Sequence, residues 1–354
     1  MAAPGLLLGA GGAAALSGCG TVRLGGPEKY TPPPPGIDDL YRTDLIALLD
    51  RAIAGTATVA EQESEDPARS ADVSGALTAL AQALPVQRTA LLTGAQRERE
   101  LEAAEDPDPE LASPPPPSDA PRELVALPAV LVELRDVGTM AARQISGSLA
   151  RPVAAMAAHA HWSALRLQAA AGEGEVPAAA SIEEIVPTRE VPETDPPSIG
   201  AESDHHLAVE TAQQQEWYAG YVHEVLAART EDEAERSAHL ESSTRHRTRA
   251  QGLAGAAEED GAPVVARQAV YALPGGKLDD RTAGMLPTQL AQGLLVTHLA
   301  VVGAAPFERR PLSIAAALEE AGELASLRAE LEPVPSLVPE DQDLAPQDEE
   351  PEAG

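Results

Sequence analysis

The chain has 354 residues, with 25 Lys or Arg and 56 Asp or Glu, so its formal net charge is −31 at pH 7. This charge excludes a nucleic-acid-binding role and electrostatic attachment to anionic lipid, because both need clustered Lys and Arg. Aromatic residues make up only 2%, while the strong helix formers Ala, Leu, Glu, Arg and Gln are abundant, which predicts an all-α fold. The 32 prolines cluster in a few stretches, which we interpret as linkers.

The first residues have the pattern of an export signal that ends at a lipid-attachment site. An apolar run at 5–16, too short to span a bilayer, leads into Leu16-Ser17-Gly18-Cys19. This tetrad resembles the lipobox of bacterial lipoproteins, which implies cleavage before Cys19 and attachment of lipid to its thiol. Cys19 is the only cysteine, so no internal disulfide is possible. Residues 1–18 contain no Lys or Arg, and a start codon further upstream would supply the positive n-region of an export signal.

We therefore expect an extracytoplasmic protein that lipidated Cys19 holds at the outer face of the cytoplasmic membrane. The Pro- and Gly-rich stretch that follows Cys19 predicts a tether that lifts the helices off the membrane surface.

Apolar spacing predicts helices throughout the first half of the chain. Gly55 is expected to end the first helix, Pro85 to lie in the first turn of the third, and Pro152 to start the last. The clearest amphipathic stripe begins at Leu124 and ends at Ile145. The predicted helices lie near 37–54, 77–84, 85–104, 124–145 and 152–171.

Four longer helices are predicted in the second half, and their lengths suit a four-helix bundle. The third should be the most buried, because 290–302 is apolar on nearly all sides. The four segments lie near 204–228, 230–260, 279–304 and 311–332.

Pro-rich and acidic stretches divide the chain into six predicted regions. They are a signal peptide with lipobox (1–18), a Pro/Gly tether (19–36), a looser N-terminal helical region (37–172), an acidic Pro-rich linker (173–203), a four-helix bundle (204–333) and a disordered acidic tail (334–354).

Three short motifs in the second half resemble the actinobacterial DUF4439 domains, a ferritin-like family of unknown function that is often found on lipoproteins. The motifs are Glu216-Trp217-Tyr218-Ala219-Gly220-Tyr221, His246-Arg247-Thr248-Arg249 and the turn Tyr271-Ala272-Leu273-Pro274. The resemblance covers about residues 204–335. It implies a ferritin-like bundle and supplies no activity.

Ferritin-like di-iron sites take a Glu from each of two helices and a Glu-x-x-His from each of the other two. The spacing on the first bundle helix predicts that Leu207 and Glu210 point inward and Glu216 outward. On the second helix His239 and His246 share one stripe. The candidate ligands for iron, manganese or zinc are therefore Glu210, His239 and His246.

The ligand set is incomplete, because the third helix has no Glu at its centre and the bundle helices contain no Glu-x-x-His. The fourth helix is expected to turn Glu319, Glu320 and Glu323 away from the core. Structural roles are the simpler interpretation of the candidates. Glu210 would then pair with Arg247 or Arg249, His239 and His246 would be partly exposed, and His298 would be a core histidine bonded to a neighbour.

Other chemistries have less support in the sequence. His159 and His161 lie about 200° apart on a helix, and His205-His206 is interpreted as a solvated helix terminus. No Gly-x-Ser-x-Gly or phosphate-binding loop occurs. We expect a non-enzymatic binding or structural module of the cell envelope, without a cofactor, that contacts an envelope protein or a cell-wall component. The alternative is a metal-binding or oxidase-like relative of ferritin.

Overall fold

The computed structural model describes residues 35–64, 71–105, 117–191, 202–274 and 278–335. Within these ranges the chain forms nine α-helices and two single-turn 3₁₀ helices, and no β-strand. The all-α prediction is therefore confirmed. The helices are α1 Ile37–Ser64, α2 Ala71–Leu91, α3 Gly94–Glu105, α4 Leu127–Gln144, α5 Gly147–Ala171, α6 Glu202–Arg229, α7 Glu233–Asp260, α8 Asp280–Ala304 and α9 Arg310–Leu327.

Local capping groups set both ends of α7 and the start of α8. The Asp232 carboxylate accepts a hydrogen bond from the backbone N–H of Glu235 at the start of α7, at 2.8 Å. Gly261 follows the end of α7 in the left-handed conformation, with φ of 69°, which favours glycine. Asp279 caps α8 by accepting from the backbone N–H of Thr282 at 2.7 Å. These caps lie close to the ends that the sequence predicts.

Three helix ends predicted in the first half are wrong. Gly55 lies inside α1, Pro85 inside α2 and Pro152 inside α5. Gly55 allows α1 to pack closely against Pro121, because a Cβ added there would lie 2.3 Å from Cγ of Pro121. Tertiary packing thus carries the helices through residues that would favour a break in an isolated peptide.

Each half of the chain forms a ring of four packed helices, and the two rings have the same neighbour relations. In the first half, α1 contacts α2 and α4, and α5 also contacts α2 and α4. In the second half, α6 contacts α7 and α8, and α9 contacts α8 along its length but α7 at only a few positions. A long connection separates the second and third helices of each ring. Both halves are therefore helical bundles of one contact pattern.

The two bundles share a hydrophobic core, because α5 packs against α8 and α9. The buried guanidinium of Arg310, in α9, joins them by donating hydrogen bonds to the backbone oxygens of Ala142 at 3.0 Å and Ile145 at 2.6 Å. At the α5–α8 crossing, a Cβ added to Gly147 would lie 2.4 Å from the backbone oxygen of Gly303. The bundles therefore form one unit over the described residues.

By length and composition, α8 is the one described helix that could cross a membrane, and half of its apolar window is buried. It packs against α5, α6 and α9. Contacts with both bundles account for a sequence that is apolar on nearly all sides.

Candidate functional site

A buried cluster of charged side chains lies in the second bundle and centres on Glu216 of α6, which is fully buried. His246 of α7 and His298 of α8 each place a ring nitrogen 2.7 Å from a Glu216 carboxylate oxygen. Because an ionised carboxylate only accepts hydrogen bonds, both imidazoles donate to it. The Glu216 cluster, as we call it, comprises Glu216, His246, Arg249, His298 and Glu320.

Arg249 is the cation of this cluster. Its Nη1 donates to Oε1 of Glu216 at 3.3 Å and to Oε1 of Glu320, and its Nη2 donates to Glu319 at the surface. Burial opposes the charged form of Arg249, but the three carboxylates outweigh it and raise the pKa of the guanidinium. Burial likewise opposes ionisation of Glu216, yet the hydrogen bonds from His246 and His298 and the charge of Arg249 hold its pKa below the ordinary range. The cluster is therefore a satisfied ionic network.

The close approach of α6 and α7 positions these side chains. Ser243 of α7 donates a hydrogen bond to the backbone oxygen of Gly220 at 2.7 Å, and a Cβ at Gly220 would lie 3.0 Å from Cγ of Arg247. Gln213 and Trp217 fix the other side of α6. Their side chains bond the backbone of Val265 in the long connection, Val265 donating to Oε1 of Gln213 at 2.9 Å and Trp217 donating to the Val265 oxygen at 3.2 Å.

The cluster does not fit a two-metal centre. Such a centre places its cations between carboxylates that face one another across the bundle, and here the guanidinium of Arg249 lies between Glu216 and Glu320. A metal ion at that position would meet a fixed positive charge. Over the described ranges, no three or more His, Cys, Asp or Glu side chains are grouped so that they could hold a metal ion.

The predicted inward face of α6 is wrong. Leu207, expected inside, is 65% exposed, whereas Glu216, expected outside, is fully buried. Glu210 is partly exposed and precedes Glu216 by about 9 Å along the helix axis, so the structure does not bring it into the cluster. Arg249 accordingly pairs with Glu216 and Arg247 with Glu224, and neither pairs with Glu210 as expected. Glu320 of α9 is also buried, contrary to expectation.

The candidates His239 and His246 are linked through a third histidine, His223 of α6, which the sequence analysis did not single out. The ring of His246 stacks on that of His223 with centroids 5.3 Å apart. Nδ1 of His223 lies 3.1 Å from Nδ1 of His239. His246 is buried rather than partly exposed as expected, and His239 remains 16% exposed.

Burial keeps the rings of His223 and His239 neutral. It lowers the pKa of His223 to about 3, with further contributions from the nearby His246, His239 and Arg245. Burial also lowers the pKa of His239, against the attraction of Glu235.

The remaining histidines have structural contacts. His298 is the core histidine that the sequence predicts, since it is fully buried and its Nδ1 lies 3.3 Å from Oγ of Ser313. His205 is buried, not solvated as expected, and its Nε2 lies 3.1 Å from Asp260. Cys19, the predicted lipidation site, lies outside the described residues.

A groove of about 700 Å³ opens between α7 and α9, where these helices make few contacts. One wall is a stripe on α7 from Ser237 to Gly252, and Arg249 of the Glu216 cluster lies on its floor. The lining residues are Ile182, Ser237, Leu240, Glu241, Thr244, Arg245, Thr248, Arg249, Gly252, Leu312, Ala315, Ala316 and Glu319. Leu240 is 49% exposed within it. Close packing of α7 against α9 would cover this apolar surface, but here it faces outward.

Comparisons with known proteins give one match. No curated protein and no solved structure matches the chain. Residues 208–339 match the family described as "Domain of unknown function (DUF4439)". The match covers most of α6 and all of α7 to α9, including the Glu216 cluster and the row of three histidines. The chain therefore contains a DUF4439 domain, as its three short motifs predict.

Proposed function

We propose that this protein is a non-enzymatic, lipid-anchored binding protein of the cell envelope that takes up an amphipathic helix of a partner protein in the α7–α9 groove. The observation that carries the proposal is the open groove itself, with its half-exposed Leu240. The Leu16-Ser17-Gly18-Cys19 sequence supports the anchor and the extracytoplasmic location.

The dimensions of the groove suit a helical ligand. The α7 wall repeats at positions 237, 240, 241, 244, 245, 248, 249 and 252, a spacing of three and four that follows one face of a helix. This face is about 22 Å long, or about four turns. A groove between two helices receives an amphipathic helix through apolar residues at the same spacing.

Charge indicates what flanks the apolar ridge of the partner. Glu241 and Glu319 are exposed at the rim, and Arg245 is held by Glu323 at 2.8 Å. The chain also carries a net charge of −31, which repels acidic partners and attracts basic ones. The favoured occupant is therefore a helix with an apolar ridge between basic residues.

The Glu216 cluster supports a binding role over an oxidase-like one. Arg249 and two imidazoles hold its carboxylates by hydrogen bonds, so it fixes the floor of the groove in advance. Rigid binding surfaces lose less entropy when a ligand binds.

A synthetic peptide tests the proposal on the full chain with Cys19→Ser. The probe is a labelled helical peptide of about 15 residues with a Leu ridge flanked by Lys, and the readout is fluorescence anisotropy. We expect Leu240→Glu to weaken binding by at least about ten-fold, or about 1.4 kcal/mol.

The matched control is Leu207→Glu, which changes a more exposed leucine of α6 outside the groove and should leave the affinity unchanged. A scrambled peptide of the same composition should bind more weakly. Equal losses in the two variants, or equal affinity for the scrambled peptide, would overturn the proposal.

A further inference from the structure

We propose that His223 and His239 form a binding site for a divalent transition-metal ion, of the Cu²⁺ or Zn²⁺ class, separate from the Glu216 cluster. His223 lies in the last two turns of α6 and His239 in the second turn of α7. The short Asp232-capped turn between the helices brings their side chains together. Their Nδ1 atoms, one from each ring, face each other at 3.1 Å.

This separation fits two ligands of one ion. Zn²⁺ and similar ions bind imidazole nitrogen at about 2.0–2.1 Å. Two nitrogens 3.1 Å apart then subtend an angle of roughly 100° at the ion, between the square-planar and tetrahedral values. An ion can therefore bind both rings without a large movement of either helix.

The protonation of the rings also suits metal binding. Burial keeps both imidazoles neutral near pH 7, and each neutral ring has one nitrogen with a free lone pair. In the metal-free pair, one Nδ1 carries a proton and donates a hydrogen bond to the Nδ1 of the other ring. When an ion binds, that proton moves to Nε2 of the same ring, so both Nδ1 atoms coordinate and no proton is released.

The Glu235 carboxylate lies near Nε2 of His239, the ring nitrogen that does not face His223. Oε1 of Glu235 lies 3.8 Å from Nε2 of His239, and Thr230 donates a hydrogen bond to Oε2 of Glu235 at 2.5 Å. Carboxylates placed behind a metal-binding histidine orient the ring and raise its basicity.

Solvent and the surrounding charge complete the site. His239 is 16% exposed, so water can fill the remaining coordination positions. Arg245 is the nearby cation that opposes a metal ion, but Glu323 pairs with it at 2.8 Å. With two imidazole ligands, the affinities for divalent ions should follow the Irving–Williams order, with Cu²⁺ above Zn²⁺.

The test uses the full chain with Cys19→Ser, which removes the only thiol. One equivalent of Cu²⁺ should give an electron paramagnetic resonance spectrum with superhyperfine coupling to two imidazole nitrogens. We expect His239→Ala to remove one nitrogen from the spectrum and to weaken Cu²⁺ and Zn²⁺ binding, measured by calorimetry at pH 7, by at least ten-fold. His223→Asn should weaken binding equally, and its circular dichroism spectrum checks that the buried substitution preserves the fold.

The matched control is His206→Ala. His206 is a partly exposed histidine of α6 whose Nε2 lies 3.8 Å from a Glu four residues earlier, the same relation that His239 has with Glu235. It should bind metal like the Cys19→Ser parent. The proposal is overturned if the parent binds no ion, if His239→Ala binds as tightly as the parent, or if His206→Ala loses as much affinity as His239→Ala.

Discussion

Arg249 donates a hydrogen bond to Glu216 across the α6–α7 contact, with 3.3 Å between Nη1 and Oε1, and both side chains are almost completely removed from solvent. The same nitrogen also donates a hydrogen bond to Glu320 of α9. One guanidinium thus donates hydrogen bonds to two buried carboxylates on opposite sides of the bundle. Ferritin-like di-iron proteins would place metal ions between such groups, and here an arginine takes that role.

Replacement of Arg249 by leucine should destabilise the protein strongly. Glu216 and Glu320 would keep their burial but lose their shared cation, and removal of one partner from a buried ion pair costs about 3–5 kcal/mol. Urea unfolding of Arg249→Leu, followed by circular dichroism, measures this loss in the free energy of unfolding.

The matched control is Arg236→Ala on the same helix. Arg236 pairs with Glu233 at the surface, where such pairs contribute about 0–1 kcal/mol. A loss in Arg249→Leu no larger than in Arg236→Ala would show that the cluster does not depend on this cation.

Features set by local sequence were predictable. Both ends of α7 and the start of α8 lie within three residues of the predicted ones, because the caps Asp232, Gly261 and Asp279 act on neighbouring residues only. The amphipathic stripe of α4 was clear for the same reason, since every turn repeats it.

The inward face of α6 was not predictable from hydrophobic spacing. Glu216 is buried with partners 30, 33 and 82 residues away in sequence, and Leu207 is exposed although it is apolar. Periodicity assigns the inward face from the apolar residues alone, so it fails where polar residues satisfy one another inside a bundle. A usable signal was present, because Glu216, His246 and Arg249 all lie within the motifs that resemble DUF4439.

The buried His159 of α5 predicts a loss of stability on acidification. Burial lowers its pKa from 6.5 to about 4, so the unfolded chain binds the proton more readily than the folded one. Its contribution is fully present above pH 6.5 and is lost as the pH falls towards 4, at about 1.4 kcal/mol per pH unit. His161, whose burial and nearby Arg135 lower its pKa to about 4, acts in the same direction.

His159→Gln removes one of the groups that take up a proton on unfolding. The free energy of unfolding should therefore fall less steeply between pH 6.5 and 4 than in the unmodified chain. Comparison of the two proteins at pH 8 gives the purely structural cost of the change. An unaltered slope would contradict the assignment.

The crossing of α5 and α8 predicts intolerance to a methyl group at Gly147. The added Cβ would meet the backbone oxygen of Gly303 at 2.4 Å, and backbone cannot swing aside as a side chain can. We expect Gly147→Ala to cost about 1–3 kcal/mol. Gly75→Ala is the control, because nothing lies within 4 Å of its added Cβ on α2 and alanine there should stabilise by about 0.5–1 kcal/mol. Thermal unfolding should therefore shift in opposite directions, and a shift in the same direction would contradict the close approach.

The proposed anchor predicts a covalent lipid on Cys19. Cells supplied with an alkyne analogue of palmitate should label the unmodified protein, whereas Cys19→Ala removes the only thiol and should abolish labelling. Ser17→Ala is the matched control, because it keeps a small residue beside the cleavage site and should retain both the label and the membrane association. Each acyl CH₂ that enters the bilayer contributes about 0.8 kcal/mol, so loss of the lipid should move the Cys19→Ala protein from the membrane fraction to the soluble one. Labelling or membrane retention that is equal in the two variants would place the attachment elsewhere in the chain.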